Sequence, residues 1–220
     1  MKPDIKAGLR SPEEALLLKS LRTELKKEKP GLKAQLEMTP RPRPGHKTYE
    51  EICDGCIKAG VLILLYPWND ALHLVLTRRT ERMSRHQAQI SFPGGRQDLR
   101  ETLRQTALRE AREELGILPG SVRILGELTP LYIPPSNFCI FPVVASTAGR
   151  PEFSPSPKEV SEMIEVPLTH FLDPRNRHEE DWIIRGEQVA VPFYEFNGHK
   201  VWGATAMVLA ELLALIRRRD

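Results

Sequence analysis

The sequence predicts an α/β fold in which a mixed β-sheet is covered by helices on both faces. Apolar runs typical of strands recur along the chain, one amphipathic helix interrupts them, and another helix ends the chain. With 220 residues, of which 40% are hydrophobic, the chain is long enough to bury a core and has the composition of an ordinary soluble globular protein. We therefore expect one main domain preceded by a helical extension.

The first 50 residues are predicted to form that extension, and the main domain is predicted to span 51–220. Positions 11–14, with the sequence SPEE, supply an N-cap, a first-turn proline and a capping acid, and leucines at helical spacing follow. This pattern predicts an amphipathic helix over 11–27. Prolines, glycines and cations without apolar periodicity at 29–47 indicate a linker or a segment that wraps around the domain. The extra helix is also a candidate surface for a homodimer.

In the main domain, strands are expected on both sides of a central helix. The run GVLILLYPW from Gly60 and the run ALHLVLTRR from Ala71, joined by a turn at Asn69-Asp70, predict a strand pair. Further strands are expected at 122–128, 138–145 and 163–166, and a terminal helix is expected at about 205–218.

The bulk properties limit the classes of partner. The net charge of +3 is mildly basic, which suits a polyanionic small molecule but falls short of a nucleic-acid interface. The N-terminus lacks the apolar core of a secretory signal, and the longest apolar stretch is shorter than the roughly 20 residues of a membrane span, so a cytoplasmic location away from membranes is expected. Three cysteines, an odd number, indicate reduced thiols without a disulfide or structural metal; they are Cys53, Cys56 and Cys139.

The segment that carries the chemistry is a double glycine followed by an acidic helix. On this helix the apolar residues share one face and three glutamates share the neighbouring face, namely Glu110, Glu113 and Glu114. These carboxylates repel one another, by roughly 0.2–0.5 kcal/mol for each i,i+4 pair, so a cation is expected beside them. Mg²⁺ suits such hard oxygen ligands, with Mn²⁺ as the alternative. The other interpretation is an ordinary solvated helix whose charges are paired by neighbouring arginines.

The ends of this helix are predicted from capping residues. Asp98 is expected to be the N-cap, with Glu101 as the capping acid at the third helical position. Gly116 stands where a left-handed residue would end the helix, and Pro119 prevents its continuation.

The segment from Gly95 to Ile117 resembles the Nudix box, G-x5-E-x7-R-E-U-x-E-E-x-G-U with U aliphatic, at every specified position. The resemblance implies the Nudix α/β/α sandwich and metal-dependent hydrolysis of a pyrophosphate bond. It also implies roles for single residues. Arg109 would orient the glutamates, Glu110 and Glu114 would be the central catalytic carboxylates, and the implied metal ligands are Gly95, Glu101, Glu110, Glu113 and Glu114.

The upstream segment from Val75 to Gly95, which ends in the sequence FPGG, resembles the coenzyme A pyrophosphatase branch of the Nudix family. The implied reaction converts coenzyme A or acyl-CoA into 3′,5′-ADP and 4′-phosphopantetheine or its acylated form. The candidate substrate-binding residues are Arg79, Arg82, Arg85, Phe92 and Gly94. Thr80, Ser84 and Ala88 depart from the branch pattern, which has Ser or Ala, Arg and Gly there. ADP-ribose, NADH or another nucleoside diphosphate derivative is therefore an alternative substrate.

A general base is expected to be a carboxylate on a loop, able to take a proton from the attacking water. Glu159 and Glu162 are the candidates, and the alternative is that both are surface charges before a strand. A further alternative of another class is a Nudix-like module that binds a nucleotide without turnover.

Overall fold

The computed structural model describes residues 12–42, 51, 55–80 and 89–218. Within these ranges the α-helices are α1 (Pro12–Glu24), α2 (Gly31–Gln35), α3 (Leu103–Leu115), α4 (Leu168–Leu172) and α5 (Gly203–Arg217). The strands are β1 (Ile57–Trp68), β2 (Ala71–Arg79), β3 (Ile90–Ser91), β4 (Gly94–Arg96), β5 (Arg123–Glu127), β6 (Leu131–Ile133), β7 (Phe138–Ser146), β8 (Val160–Pro167), β9 (Arg177–Ile184), β10 (Glu187–Phe196) and β11 (His199–Trp202). The predicted α/β class is confirmed.

The larger sheet is mixed, as predicted. Its main order is β3-β2-β1-β7-β5, with β4 paired to β1, β6 to β7 and β8 to β2. Strand β1 runs parallel to β7 and antiparallel to β2. The predicted turn between β1 and β2 is confirmed, because Asn69 and Asp70 both have positive φ, which asparagine and aspartate tolerate better than other side chains.

Helices cover the two faces of this sheet because its central strands are apolar on both sides. Leu62 and Leu64 of β1 pack in the cluster that contains the buried face of α3. Ile63 and Leu65, which point to the opposite face, pack in the cluster that contains α5. A strand buried on both faces has a nearly continuous apolar sequence, which is why β1 was recognisable without an alternating pattern.

A second sheet, in which β10 lies between β9 and β11, was not predicted. Strand β9 has the sequence RHEEDWII and is mostly exposed, so it lacks the apolar alternation that would indicate a strand. Its pairing with β10 over eight residues supplies the order that its own sequence does not indicate. Tyr194 of β10 and Val201 of β11 attach this sheet to the cluster that contains α5.

The N-terminal segment packs into the same core as the main domain. Leu18, Leu21 and Leu25 are buried with α5 in one cluster. Glu211, a fully buried residue of α5, accepts hydrogen bonds from the Gln35 side chain at 2.8 Å and from the Thr129 hydroxyl at 2.7 Å. Of the two possibilities left open for the proline-rich region, the part described up to residue 42 is therefore a wrapping segment.

The expectation of reduced thiols was wrong for two cysteines. Cys56 and Cys139 form a disulfide, with Cα atoms 5.8 Å apart. The parallel register of β1 and β7, in which Lys58 faces Cys139, brings them together from 83 residues apart in sequence. The number of cysteines could not reveal this proximity, and Cys53 lies outside the described residues. No helix in the described part of the chain is long and apolar enough to cross a membrane.

Candidate active site

The acidic helix α3 begins later than predicted. Its N-cap is Thr102, whose hydroxyl accepts from the Gln105 amide while the Gln105 side chain accepts from the Thr102 amide. This reciprocal pair satisfies two backbone donors and starts the helix at Leu103, so the expected cap at Asp98 was wrong. Glu101 lies in the preceding loop, where its carboxylate accepts from the Asp98 amide at 2.8 Å. The predicted end is confirmed, because Gly116 is left-handed with φ of 72°.

Glycines bring the helix and the double-glycine strand close together. A Cβ atom on Gly60 of β1 would lie 2.4 Å from the Leu103 carbonyl, so α3 packs directly on the strand backbone. Gly95 of β4, which pairs with Gly60, faces the helix in turn, and a Cβ there would lie 2.5 Å from the Glu110 carboxylate. The absence of side chains at these two positions allows Glu110 to lie against the backbone of β4.

Glu114 is the most buried of the three helical glutamates, with 6% of its side chain exposed. Its carboxylate accepts a hydrogen bond from the Thr77 hydroxyl at 3.4 Å and another from the Gly94 amide, and it lies 4.0 Å from the Arg79 guanidinium. Burial raises the pKa of Glu114 to about 7, and the negative charge of Glu110 adds to the rise while Arg79 opposes it. Burial disfavours the ionised form of Glu114, and a cation bound beside it would offset that cost.

Arg109 connects the other carboxylates. It donates to Glu101 at 3.0 and 3.1 Å, to Glu110 at 2.7 Å and to Glu113 at 3.0 Å. The hydrogen bonds from Arg109 lower the pKa of Glu101 to about 2. Burial raises the pKa of Glu110 even though Arg109 acts in the opposite direction. The structure thus places Arg109 where a residue that orients the glutamates is expected.

The donor set fits a divalent cation of the Mg²⁺ type, although it is not a closed cage. Exposure of the side chain increases from 6% for Glu114 to 14% for Glu110 and 49% for Glu113. Across 12–42, 51, 55–80 and 89–218, no three His, Cys, Asp or Glu side chains converge as a metal cluster. Mg²⁺ commonly uses only one or two protein carboxylates and completes its shell with waters and phosphates. Glu114, which is buried, and Glu110, which is partly buried, both have a raised pKa, lie beside the double glycine and meet that requirement.

The candidate substrate-binding residues fall into different environments. Arg79, at the end of β2, donates to the Gly94 carbonyl at 3.1 Å, and so the structure brings both residues to the carboxylates. Phe92 is 3% exposed and its side chain packs in the core, so its assignment to substrate binding has no support from this geometry and stays a prediction. The FPGG sequence alone did not show that Phe92 packs in the core while Gly94 lies beside the carboxylates. Arg82 and Arg85, together with Ser84 and Ala88, lie outside the described residues.

The two candidate bases are placed on different sides of the larger sheet. The negative charge of Glu159 contributes to the raised pKa of both Glu110 and Glu114, so Glu159 lies within electrostatic range of these two carboxylates. Glu162 instead pairs with His199 at 3.1 Å and Arg78 at 3.5 Å. It shares its strand face with Ile164 and Val166, which pack towards α5. The structure therefore does not bring Glu162 to the carboxylates.

Sequence reasoning missed the contacts that hold the C-terminal end of α3. The amides of Ser154 and Ser156 donate to the carbonyls of Leu115 and Glu114, both at 2.8 Å. The sequence of the serine-containing loop has no local pattern that indicates which distant backbone carbonyls its amides bind. Thr77 was also missed as a partner of Glu114, although it stands two residues before Arg79 and strand alternation would have placed both on one face.

Known proteins are similar to this chain over most of its length. The family description "NUDIX domain" matches residues 57–185, more than half of the chain. An uncharacterized Nudix hydrolase NudL from Pectobacterium atrosepticum is 34% identical over 188 residues, which cover 84% of this chain and 92% of that protein. The mitochondrial coenzyme A diphosphatase NUDT8 of Homo sapiens is 33% identical over 163 residues, 72% of this chain and 69% of that protein.

A solved structure shares the fold. A Nudix hydrolase from M. smegmatis, RenU, superposes with a TM-score of 0.50 at 17% identity, covering 76% of this chain and 97% of that one. At this identity the likeness concerns the fold alone.

Proposed function

The chain belongs to the Nudix hydrolase family, and we propose that its substrate is coenzyme A or an acyl-CoA, cleaved to 3′,5′-ADP and 4′-phosphopantetheine or its acylated form. As a Nudix pyrophosphohydrolase it breaks a phosphoanhydride bond. The observation that carries the choice of coenzyme A is the 33% identity to a human protein named as a coenzyme A diphosphatase. The upstream segment from Val75 to Gly95, which resembles that branch, supports it.

The proposed ion is Mg²⁺, with Mn²⁺ as the alternative. The residues that would hold it are Glu110, Glu113 and Glu114, with the Gly95 carbonyl and Glu101 assisting. When bound, such an ion neutralises charge on the diphosphate and makes a nearby water more acidic. The exposed position of Glu113 suits a ligand that reaches the ion from the solvent side.

The remaining steps are assigned to side chains of this chain. Arg109 holds the carboxylates in their orientation through its hydrogen bonds. Arg79 places its guanidinium beside the double glycine, where it can donate to a phosphate oxygen. Glu159 accepts the proton of the attacking water as the water oxygen bonds to phosphorus and the P–O bond of the anhydride breaks. Each product then keeps one of the two phosphates. Glu162 is not carried into this proposal, because its contacts lie on the other side of the sheet.

The test is a product analysis with a matched pair of variants. Purified protein, Mg²⁺ and coenzyme A should give 3′,5′-ADP and 4′-phosphopantetheine in equal amounts on chromatography. Glu114→Gln should lower turnover by about 100-fold or more, whereas Glu187→Gln, at an exposed acid of β10, should leave it unchanged. No 3′,5′-ADP above background would overturn the choice of coenzyme A.

A second candidate is hydrolysis of ADP-ribose, NADH or another nucleoside diphosphate derivative. Ser84 stands where the coenzyme A branch has arginine, which removes a strong phosphate donor from the pattern. A value of kcat/KM at least about tenfold higher for such a substrate than for coenzyme A, roughly 1.4 kcal/mol in transition-state binding, would establish it. The non-catalytic alternative is disfavoured by the intact carboxylates, and unchanged turnover in Glu114→Gln would show that α3 is not the metal site.

A further inference from the structure

The loop at 147–159 connects β7 to β8 and carries Glu159 at its end. It has no regular secondary structure over most of its length, yet it is attached to the sheet, to α3 and to the end of β2. The three attachments together determine where Glu159 stands.

The first attachment is a bidentate ion pair on the sheet. Arg150 donates from Nε and Nη2 to the two carboxylate oxygens of Glu165, both at 2.7 Å, and the Tyr66 hydroxyl donates to the same carboxylate at 2.7 Å. The guanidinium also lies 5.0 Å from the Trp68 ring centroid and 5.1 Å from that of Phe153. Glu165 is 11% exposed, so this pair differs from an isolated surface ion pair that solvent screens.

The second attachment is to the C-terminal end of α3. The amides of Ser154 and Ser156 donate to the carbonyls of Leu115 and Glu114, acceptors that have no partner within the helix. The contact is close, since a Cβ atom on Gly116 would lie 2.9 Å from that of Ser154. The loop therefore follows the position of the helix that carries the metal-site glutamates.

The third attachment fixes the backbone on both sides of the Glu159 Cα atom. The Glu159 amide donates to the Ser156 carbonyl at 3.1 Å, and its carbonyl accepts from the Thr80 amide at 3.2 Å. The Thr80 hydroxyl donates to the Lys158 carbonyl at 3.1 Å. Two loop residues connect to side chains of the sheet: Arg150 through Glu165, and Phe153 through its ring contact with Tyr66 at 5.5 Å between centroids.

We propose that Arg150 is a positioning residue for hydrolysis: by binding Glu165 and Tyr66 it holds the loop so that Glu159 faces the carboxylates of α3. The inference rests on the proposed function, because it takes Glu159 as the base. Arg150 itself contacts none of the candidate metal ligands in the described residues. Its contribution is therefore expected to pass entirely through Glu159.

The test is a double-mutant cycle between Arg150→Met and Glu159→Gln, measured as kcat and KM on whichever nucleoside diphosphate derivative the purified enzyme hydrolyses. Arg150→Met alone should lower kcat by about tenfold or more with KM within about twofold. In the Glu159→Gln background it should lower kcat by less than about twofold further, because the group that it positions is already disabled. Arg175→Met is the control, since Arg175 makes a solvent-exposed bidentate pair with Asp173 that contacts neither the loop 147–159 nor α3, and the change should alter neither value.

Loss of Arg150 leaves Glu165 without its counterion, so a second variant guards against simple unfolding. Arg150→Met combined with Glu165→Leu removes both charges, and the same cycle is repeated with that pair. If the kcat loss in the double variant equals the product of the two single losses, or if Glu159→Gln keeps full activity, the positioning role is overturned. Either result leaves the proposed function standing as long as the wild-type protein turns over its substrate. Absence of turnover in the wild-type protein on coenzyme A, ADP-ribose and NADH would instead overturn the proposed function.

Discussion

A Cβ atom on Gly95 would lie 2.5 Å from the carboxylate of Glu110, closer than such atoms approach in proteins, so glycine is the residue that leaves room for this carboxylate. Both residues belong to the segment identified from sequence, but only the structure shows that they touch. The requirement for glycine at this position is therefore a requirement of the candidate metal site.

Gly95→Ala should reduce activity much more than stability. The atoms that the new methyl would meet are the flexible end of Glu110, which can rotate away at little energetic cost but then leaves its place beside Glu114. We expect kcat/KM to fall by about tenfold or more, while the free energy of unfolding changes by less than about 1 kcal/mol. Steady-state kinetics and urea denaturation of the same preparation measure the two effects.

Gly60→Ala is the matched comparison, with the opposite balance. Its methyl would meet the Leu103 carbonyl at 2.4 Å, which is backbone and cannot turn aside. We expect a loss of about 1–3 kcal/mol in the free energy of unfolding, because α3 must move off β1. Equal stability of the two variants would contradict the assignment of Gly60 to packing and of Gly95 to the site.

The stability of the metal-free protein should depend on the protonation of Glu114. Its pKa is raised from 4.5 in the unfolded chain to about 7 in the folded protein, so the neutral form stabilises the fold. That contribution is fully present below pH 4.5 and is lost as the pH rises through 7, and the corresponding free energy is about 3 kcal/mol at most. In EDTA, the free energy of unfolding of the wild type relative to Glu114→Gln should therefore decrease between pH 4.5 and pH 7.

Mg²⁺ should reverse that decrease. At pH 8 Glu114 is ionised and can bind a cation. Because Mg²⁺ would bind the folded state and not the unfolded chain, the free energy of unfolding should rise with the Mg²⁺ concentration. Wild-type protein should gain thermal stability from Mg²⁺, and Glu114→Gln should gain much less. An equal gain in both proteins would place the ion elsewhere.

Arg109→Lys should be almost as harmful as Arg109→Met. The guanidinium donates to three carboxylates at once, in a geometry that a single ammonium group cannot reproduce. We expect either change to lower kcat/KM by about 10- to 100-fold, the range typical of residues that orient metal ligands. Arg112→Met, at an exposed position of the same helix, is the control and should be near wild type. Full activity in Arg109→Lys would show that charge alone suffices.

Glu211→Leu should destabilise the whole domain. The buried carboxylate accepts from the Gly31 amide, the Gln35 side chain and Thr129, and leucine would leave these donors without an acceptor. We expect a loss of about 3 kcal/mol in the free energy of unfolding, measured by urea denaturation.

Removal of residues 1–45 should prevent stable folding, since Leu18, Leu21 and Leu25 belong to the core. A truncated chain as stable as the full one would contradict this.

Homodimer formation stays a prediction, and gel filtration of the full chain tests it. The truncation of the N-terminal helix cannot serve for that purpose, because one face of α1 is already buried against the domain.

Much of the fold could be predicted because its central elements carry strong local patterns. Strands β1 and β2 are long apolar runs separated by a turn, and α3 combines an amphipathic pattern with a family motif. Strand β9 could not be predicted, because its order comes from pairing with β10 rather than from its own polar sequence. The wrong N-cap has a similar origin. Asp98 with Glu101 and Thr102 with Gln105 are overlapping capping patterns in the sequence, and the structure uses the second of them as the cap of α3.

The candidate site was predictable in composition and less so in arrangement. The glutamates and Arg109 have fixed spacing on one helix, so a local motif places them together. Glu159 lies in the loop before β8 and is held by contacts of that loop, whereas Glu162 lies within β8, where the pairing with β2 fixes its face. The sequence does not show where the loop ends and the strand begins. Phe92 was assigned to substrate binding from a sequence motif, and a motif does not show which of its residues is buried.

The most direct test of the account is a crystal of the full chain soaked with Mn²⁺, examined by anomalous scattering. We predict an anomalous peak between the carboxylates of Glu110 and Glu114, within bonding distance of the Gly95 carbonyl, and loss of that peak in Glu114→Gln. A wild-type crystal in which both glutamates bind no ion at a concentration that supports turnover would contradict the claim that this helix holds the catalytic metal.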